Sequence, residues 1–174
     1  MKQEKWFDRK FDFGKQVIFP SLLERLEGTP LRLAHKLSST PASEAIWQPE
    51  GKWTIAEQVG HLSDLEPLWQ GRLQDMLDGQ ETMRPTDLAN GRTWAANHNE
   101  KPLVDLIAEF TALRQQSLVL LSALHEDDIF KSALHPRLLT PMTVQDLWLF
   151  VAEHDDHHLA LITALKKEVR DKGV

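Results

Sequence analysis

Apolar residues recur at steps of three and four in four separate stretches of this chain, and each stretch reads as an amphipathic helix. The first runs from about Pro20 to Leu37, with Leu22, Leu23, Leu26, Leu33 and Leu37 on its apolar stripe. Pro20 suits a first helical turn, where its missing N–H costs nothing. Gly28-Thr29-Pro30 interrupts the pattern and reads as a kink within one helix. Ser38 to Lys52 is rich in Pro, Ser and Gly and reads as a loop. The second helix opens on Thr54-Ile55-Ala56-Glu57, a capping box in which hydroxyl and carboxylate each satisfy a free backbone N–H. Its apolar face follows as Ile55, Val59, Leu62, Leu65, Trp69, Leu73 and Met76, ending near Gly79.

The third helix spans about Pro102 to Leu124, carried by Leu103, Leu106, Ile107, Phe110, Leu113, Ser117, Leu120, Leu121 and Leu124. The fourth opens on Thr143 as N-cap and runs to about Val169, with Lys166, Lys167 and Arg170 in its last turns, where cations suit the helix dipole. No strand pattern of comparable length appears, and there is no internal repeat. The pattern predicts an all-α four-helix bundle, a single domain over residues 1–174. The polar segment from Gln80 to Glu100 is too long for a turn between antiparallel neighbours. It reads as a crossover or a lid, and is expected to border a site. A second connection, His125 to Pro141, holds His135-Pro136.

One pattern carries chemistry. In the fourth helix Val144, Leu147, Val151, His154, His158, Leu161 and Leu165 recur as a bundle seam, so two positions that should be aliphatic are histidine. Histidines four apart share one helix face, and both rings can reach one point. That is half of a metal site. His157 lies off the seam, and Asp155 and Asp156 are expected to face solvent, although either could hold a ligand imidazole through its free N–H. Of the other histidines, only His35 and His61 fall inside helices. His61 sits one step off the apolar stripe, after Gly60, whose place in a helix points to a close approach by a neighbouring helix or a ligand. Three imidazoles would leave an open position for water or substrate, the pattern of catalytic rather than structural sites. Glu66, between Leu62 and Trp69, is a tentative base or ligand-orienting group, or else pairs with Arg72. Trp69 and Trp148 lie on the two site-bearing helices and serve as core or as pocket wall.

Composition narrows the chemistry. The chain has no cysteine, which excludes disulfides, thiolate ligands and a cysteine nucleophile; any thiol belongs to a substrate. The net charge is −6 with no basic tract, which argues against nucleic acid. No apolar run approaches a membrane span, and Met1 to Arg9 lacks the start of a secretory signal, so a cytoplasmic protein is expected. The HExxH pattern of zincins and the paired Glu-x-x-His motifs of di-iron bundles are both absent.

The residues now assembled resemble the DinB superfamily, including its YfiT-like members. The matching pieces are Gly51-Lys52-Trp53-Thr54-Ile55-Ala56-Glu57-Gln58-Val59-Gly60-His61-Leu62, His135-Pro136, His154-Asp155-Asp156-His157-His158-Leu159, and the aromatic start Trp6-Phe7-Asp8-Arg9-Lys10-Phe11. The resemblance implies a bundle in up-down-down-up order and often a homodimer. It implies one divalent metal ion, commonly zinc or nickel, on three histidines, which fall here on His61, His154 and His158. Characterised relatives include S-transferases using bacillithiol or mycothiol and a mycothiol-dependent maleylpyruvate isomerase; others are described only as metal-dependent hydrolases. The leading expectation is a metal-dependent enzyme on a small molecule, transferring a low-molecular-weight thiol. A hydrolase using metal-bound hydroxide is second, and a non-catalytic stress-associated metal or small-ligand binder is third.

Overall fold

The structure, a computed structural model, describes Phe7 and residues 16–173. The rest of the aromatic start, Trp6 and Asp8 to Phe11, lies outside the described residues. Four long helices form the body: α1 (Phe19–Leu37), α3 (Ile55–Leu77), α5 (Leu103–Ser122) and α6 (Val144–Lys172). Short helices α2 (Ala42–Ala45) and α4 (Gly91–Ala95) lie in the first two connections. Pro30 is held inside α1, which runs as one helix past it. Both predicted N-caps form: Thr54 and Glu57 complete their box at α3, and Thr143 forms a second box with Asp146 at α6. Against the expectation of helix and loop alone, β1 (Ser132–Leu134) and β2 (Pro141–Thr143) pair as a small antiparallel hairpin. Three-residue strands carry too little periodicity to be read from sequence.

Side-chain register fixes the topology. Between α1 and α6, Ile18 meets Gln145, Arg25 meets Glu153 and Lys36 meets Thr163, so numbers rise together and the helices are parallel. Between α3 and α5, Glu66 meets Arg114 and Gln70 meets Ser117, and Leu62 shares its cluster with Phe110 while Leu73 shares its own with Leu121; these two are also parallel. Between α3 and α6, Gln58 meets His158 and Trp69 meets Phe150, so they are antiparallel. The order is up-down-down-up. Helices α3 and α1 each pack on α5 and α6.

This order explains the long connection. Parallel neighbours α3 and α5 need a return along the bundle, and α3, with 23 residues, is roughly 35 Å long. About ten extended residues would cover that distance. Residues 78–102 exceed it, and the surplus folds onto α3 through α4 and the 3₁₀ turn His98–Glu100. The segment is therefore both a return and a cover.

The apolar core divides in two. One cluster gathers Leu22, Leu26, Trp69, Leu73, Leu147 and Val151; the other gathers Leu33, Val59, Leu62, Phe110, Ile162 and Leu165. A buried polar layer separates them, holding His61, Glu66, Arg114, His154, Asp155 and His158. The seam of α6 drifts at its C-terminal end, where Ile162 is buried and Leu161 only half-buried. A 3.6-residue turn slips against a strict 3.5-residue repeat, which moves the contact by one position. No described helix is long and apolar enough to cross a membrane.

Candidate metal centre

His154 and His158 face inward from one side of α6, and α3 brings His61 against them. One ring nitrogen of each lies within 4.8 Å of the others, and all three residues are buried. The Nε2 atom of His154 is 3.1 Å from that of His158 and 3.3 Å from that of His61. Burial lowers the pKa of His61 to about 4 and holds those of His154 and His158 well below the usual histidine range. All three rings are neutral at pH 7.

Two of the tautomers follow from the partners. The Thr93 hydroxyl donates to Asp64 Oδ2 at 2.8 Å, so its oxygen accepts from His61 Nδ1–H at 3.0 Å. Gln58 Oε1 accepts from His158 Nδ1–H at 2.6 Å. Each ring therefore turns a bare Nε2 lone pair toward His154. Three nitrogens converge with at most one hydrogen among them, an arrangement that a cation completes. Nitrogens ~2.0–2.1 Å from a tetrahedral ion lie roughly 3.3–3.4 Å apart, close to the spacing found here. The residues fit a divalent metal.

The triad floors a pocket of about 220 Å³. Trp53, Trp69 and Phe150 form its aromatic wall, and Asp87, Leu88 and Asn90 of the long connection form its edge. The Trp53 ring lies 4.7 Å from that of His61 and stacks over His158 at 6.3 Å. His157 also lines the pocket, edge-on to His158, but is not part of the triad. Trp148 is wholly buried core, so of the two tryptophans on the site-bearing helices only Trp69 reaches the pocket. His35 is exposed on α1 and does not join the site.

Several expectations are corrected. Asp155 is buried, not solvated, and binds Arg114 at 2.6 Å. Asp156 is half-exposed and bonded to Arg25 and Arg32, so neither acid holds a ligand imidazole through the bonds it makes here. Glu66 pairs with Arg114 rather than Arg72, at 2.5 Å, and its second oxygen accepts the Ser117 hydroxyl. Both oxygens are consumed in the core, which leaves no geometry for a base in the pocket. Gly60 is required by the long connection: a Cβ there would lie 2.3 Å from the His98 ring. His98 in turn donates from Nε2 to Asp64 Oδ2 at 2.9 Å.

Sequence reasoning missed Gln58, Asp64, Thr93 and His98. A partial signal existed, since Gln58, His61 and Asp64 recur every three residues and share one face of α3. Nothing local points to Thr93 or His98, which arrive from the return segment.

The DinB superfamily profile matches residues 25–162, most of the chain, and the chain belongs to that superfamily. It is 24% identical over 147 residues to the uncharacterized protein YuaE of Bacillus subtilis, covering 77% of this chain and 85% of that one. Its fold matches YfiT of Bacillus subtilis with a TM-score of 0.78 over 93% of both chains at 20% identity; YfiT is described as a probable metal-dependent hydrolase with an unusual four-helix bundle topology. A protein of Streptococcus pneumoniae matches with a TM-score of 0.68 at 14% identity, over 88% of this chain and 93% of that one.

Proposed function

We propose that this member of the DinB superfamily is a metal-dependent enzyme acting on a small organic molecule, with His61, His154 and His158 as ligands of one divalent ion. The convergence of three Nε2 atoms on the floor of an open pocket carries the reading. Imidazole donors suit zinc and nickel alike. The bound ion would supply Lewis acidity, lowering the pKa of a thiol or of water at its open position. Gln58 and Thr93 hold two ligand rings in the tautomer that presents Nε2. Trp53, Trp69 and Phe150 keep bulk water from one side of the pocket. His157 lines the pocket beside the triad, with its ring edge-on to that of His158.

Within that reading we favour transfer of a low-molecular-weight thiol to an electrophile. Glu66 and Asp155 are tied to Arg114, and Asp87 spends its oxygens on the N–H groups of Ala89 and Gly91. A thiol, with a pKa of about 8.5, needs less help from a base than water does. Hydrolysis is the second reading, supported by the description of YfiT. The test is turnover by the zinc- or nickel-loaded chain with bacillithiol, mycothiol, glutathione or cysteine and monochlorobimane, against a His154→Ala control. Conjugation above that control with one of the thiols is expected. Ester or amide hydrolysis without conjugation would reassign the chain to hydrolysis, and silence in both assays would make it a binder.

A further inference from the structure

Arg72 and Arg114 are both fully buried, with 1% exposure each, yet their surroundings are opposite. Arg114 is held between two carboxylates, Glu66 and Asp155. Arg72 has none. Its Nε donates to the carbonyl oxygen of Arg84 at 3.0 Å, and its Nη1 lies 3.1 Å from Nε2 of His135, a ring whose Nδ1 accepts from the N–H groups of Arg137 and Leu138. Its guanidinium lies 5.3 Å over the Trp69 ring. Asp75, one turn further along α3, accepts from Arg84 instead: Oδ1 from Nη2 at 2.7 Å, and Oδ2 from the backbone N–H and Nε at 2.7 and 2.9 Å. Among the described residues Arg72 Nη2 meets no acceptor at all.

A buried guanidinium with no carboxylate bonded to it is costly, and such groups are paired or face a ligand. Burial pushes Arg72 down only to about 10, so it is charged at neutral pH. It lines the pocket of the histidine triad, and Trp69 touches both, with its ring 5.7 Å from that of His154. His135 supplies no counter-charge, since an imidazole is neutral or cationic; burial and the neighbouring arginines hold its pKa near 4, so it is a neutral ring. Arg137 adds a second cation to the lining, stacked over Phe7 at 4.5 Å. Asp87, the one acid among the described lining residues, is engaged by backbone N–H groups.

We propose that Arg72 anchors a carboxylate of the substrate, so that the pocket selects small carboxylic acids whose reactive end faces the triad across Trp69. With Nε engaged by the Arg84 carbonyl, the buried and unpartnered Nη2 offers too few donors for a phosphate dianion and suits a monoanionic carboxylate. The inference rests on this pocket being the substrate site, but not on which ion or reaction it supports.

The experiment is an NMR titration of the chain, metal-free and zinc-loaded, with 3-phenylpropionate and its neutral isostere 3-phenylpropanamide. The acid is expected to bind at least tenfold more tightly than the amide in both forms. Arg72→Gln should bring the acid down to the affinity of the amide while leaving zinc content unchanged, and Arg72→Lys should recover part of the preference. Equal affinity for acid and amide in the wild-type chain overturns the proposal and needs no variant to fold. A preference that survives Arg72→Gln but disappears in His154→Ala places the carboxylate on the ion; that overturns the anchor and leaves the metal reading standing. An Arg72-dependent preference in a chain that takes up no zinc supports the anchor while the metal reading fails.

Discussion

Gln58, on α3, accepts the Nδ1–H of His158, on α6, at 2.6 Å, and this bond decides which nitrogen His158 offers to the pocket. Outer partners of this kind typically contribute 10–100-fold to metal affinity. Gln58→Leu should therefore weaken zinc binding by about that factor, read by competition with a chelating indicator. Gln58→Glu, which keeps the acceptor, should restore it. Equal affinities in all three chains would show that the bond is incidental.

Alanine at His61, His154 or His158 should each remove most bound metal, measured by elemental analysis of purified protein. His157→Ala should retain it, because that ring lies outside the convergent set. The reverse pattern between His157 and His158 would refute the ligand assignment.

Metal removal should leave the bundle folded. The two apolar clusters bury many Leu, Ile and Val side chains, each contributing roughly 1.5–3 kcal/mol on full burial. Circular dichroism after chelation is expected to keep its helical signal. Loss of most of that signal would make the ion structural.

The metal-free chain should become less stable as pH falls. The folded pKa of His61 is depressed to about 4 from 6.5, so between those values the unfolded chain binds a proton that the folded chain refuses. Stability is full above pH 6.5 and is lost as pH drops toward 4, on the order of 3 kcal/mol for this residue. His154 and His158 act in the same direction. Melting temperatures of the chelated protein at pH 7.5 and 5 give the check, and a flat profile would contradict it.

The Glu66–Arg114–Asp155 cluster should matter to stability and not to metal binding. Arg114→Ala strands two buried carboxylates and is expected to cost about 3–5 kcal/mol in urea denaturation. Glu66→Gln should cost less, since burial already raises the Glu66 pKa and makes its neutral form easier to hold. Loss of zinc in Glu66→Gln would return Glu66 to the site.

The chain's local patterns determined its four long helices, both N-caps, and the two histidines of α6 that point into the bundle. These depend on periodicity and on hydrogen bonds spanning three or four residues, which sequence displays directly. His61 was legible as a candidate, and the family motif singled it out. Only the tertiary structure decided what surrounds these groups. Asp155 looked solvated because its burial depends on Arg114, a residue on a helix far away in sequence. Gly60 could not be explained before the return segment laid His98 across it. The different fates of Arg72 and Arg114 were invisible too. Whether a buried cation meets carboxylates or an open pocket depends on which helices become neighbours, and the up-down-down-up order sets that through long-range packing rather than through any local pattern.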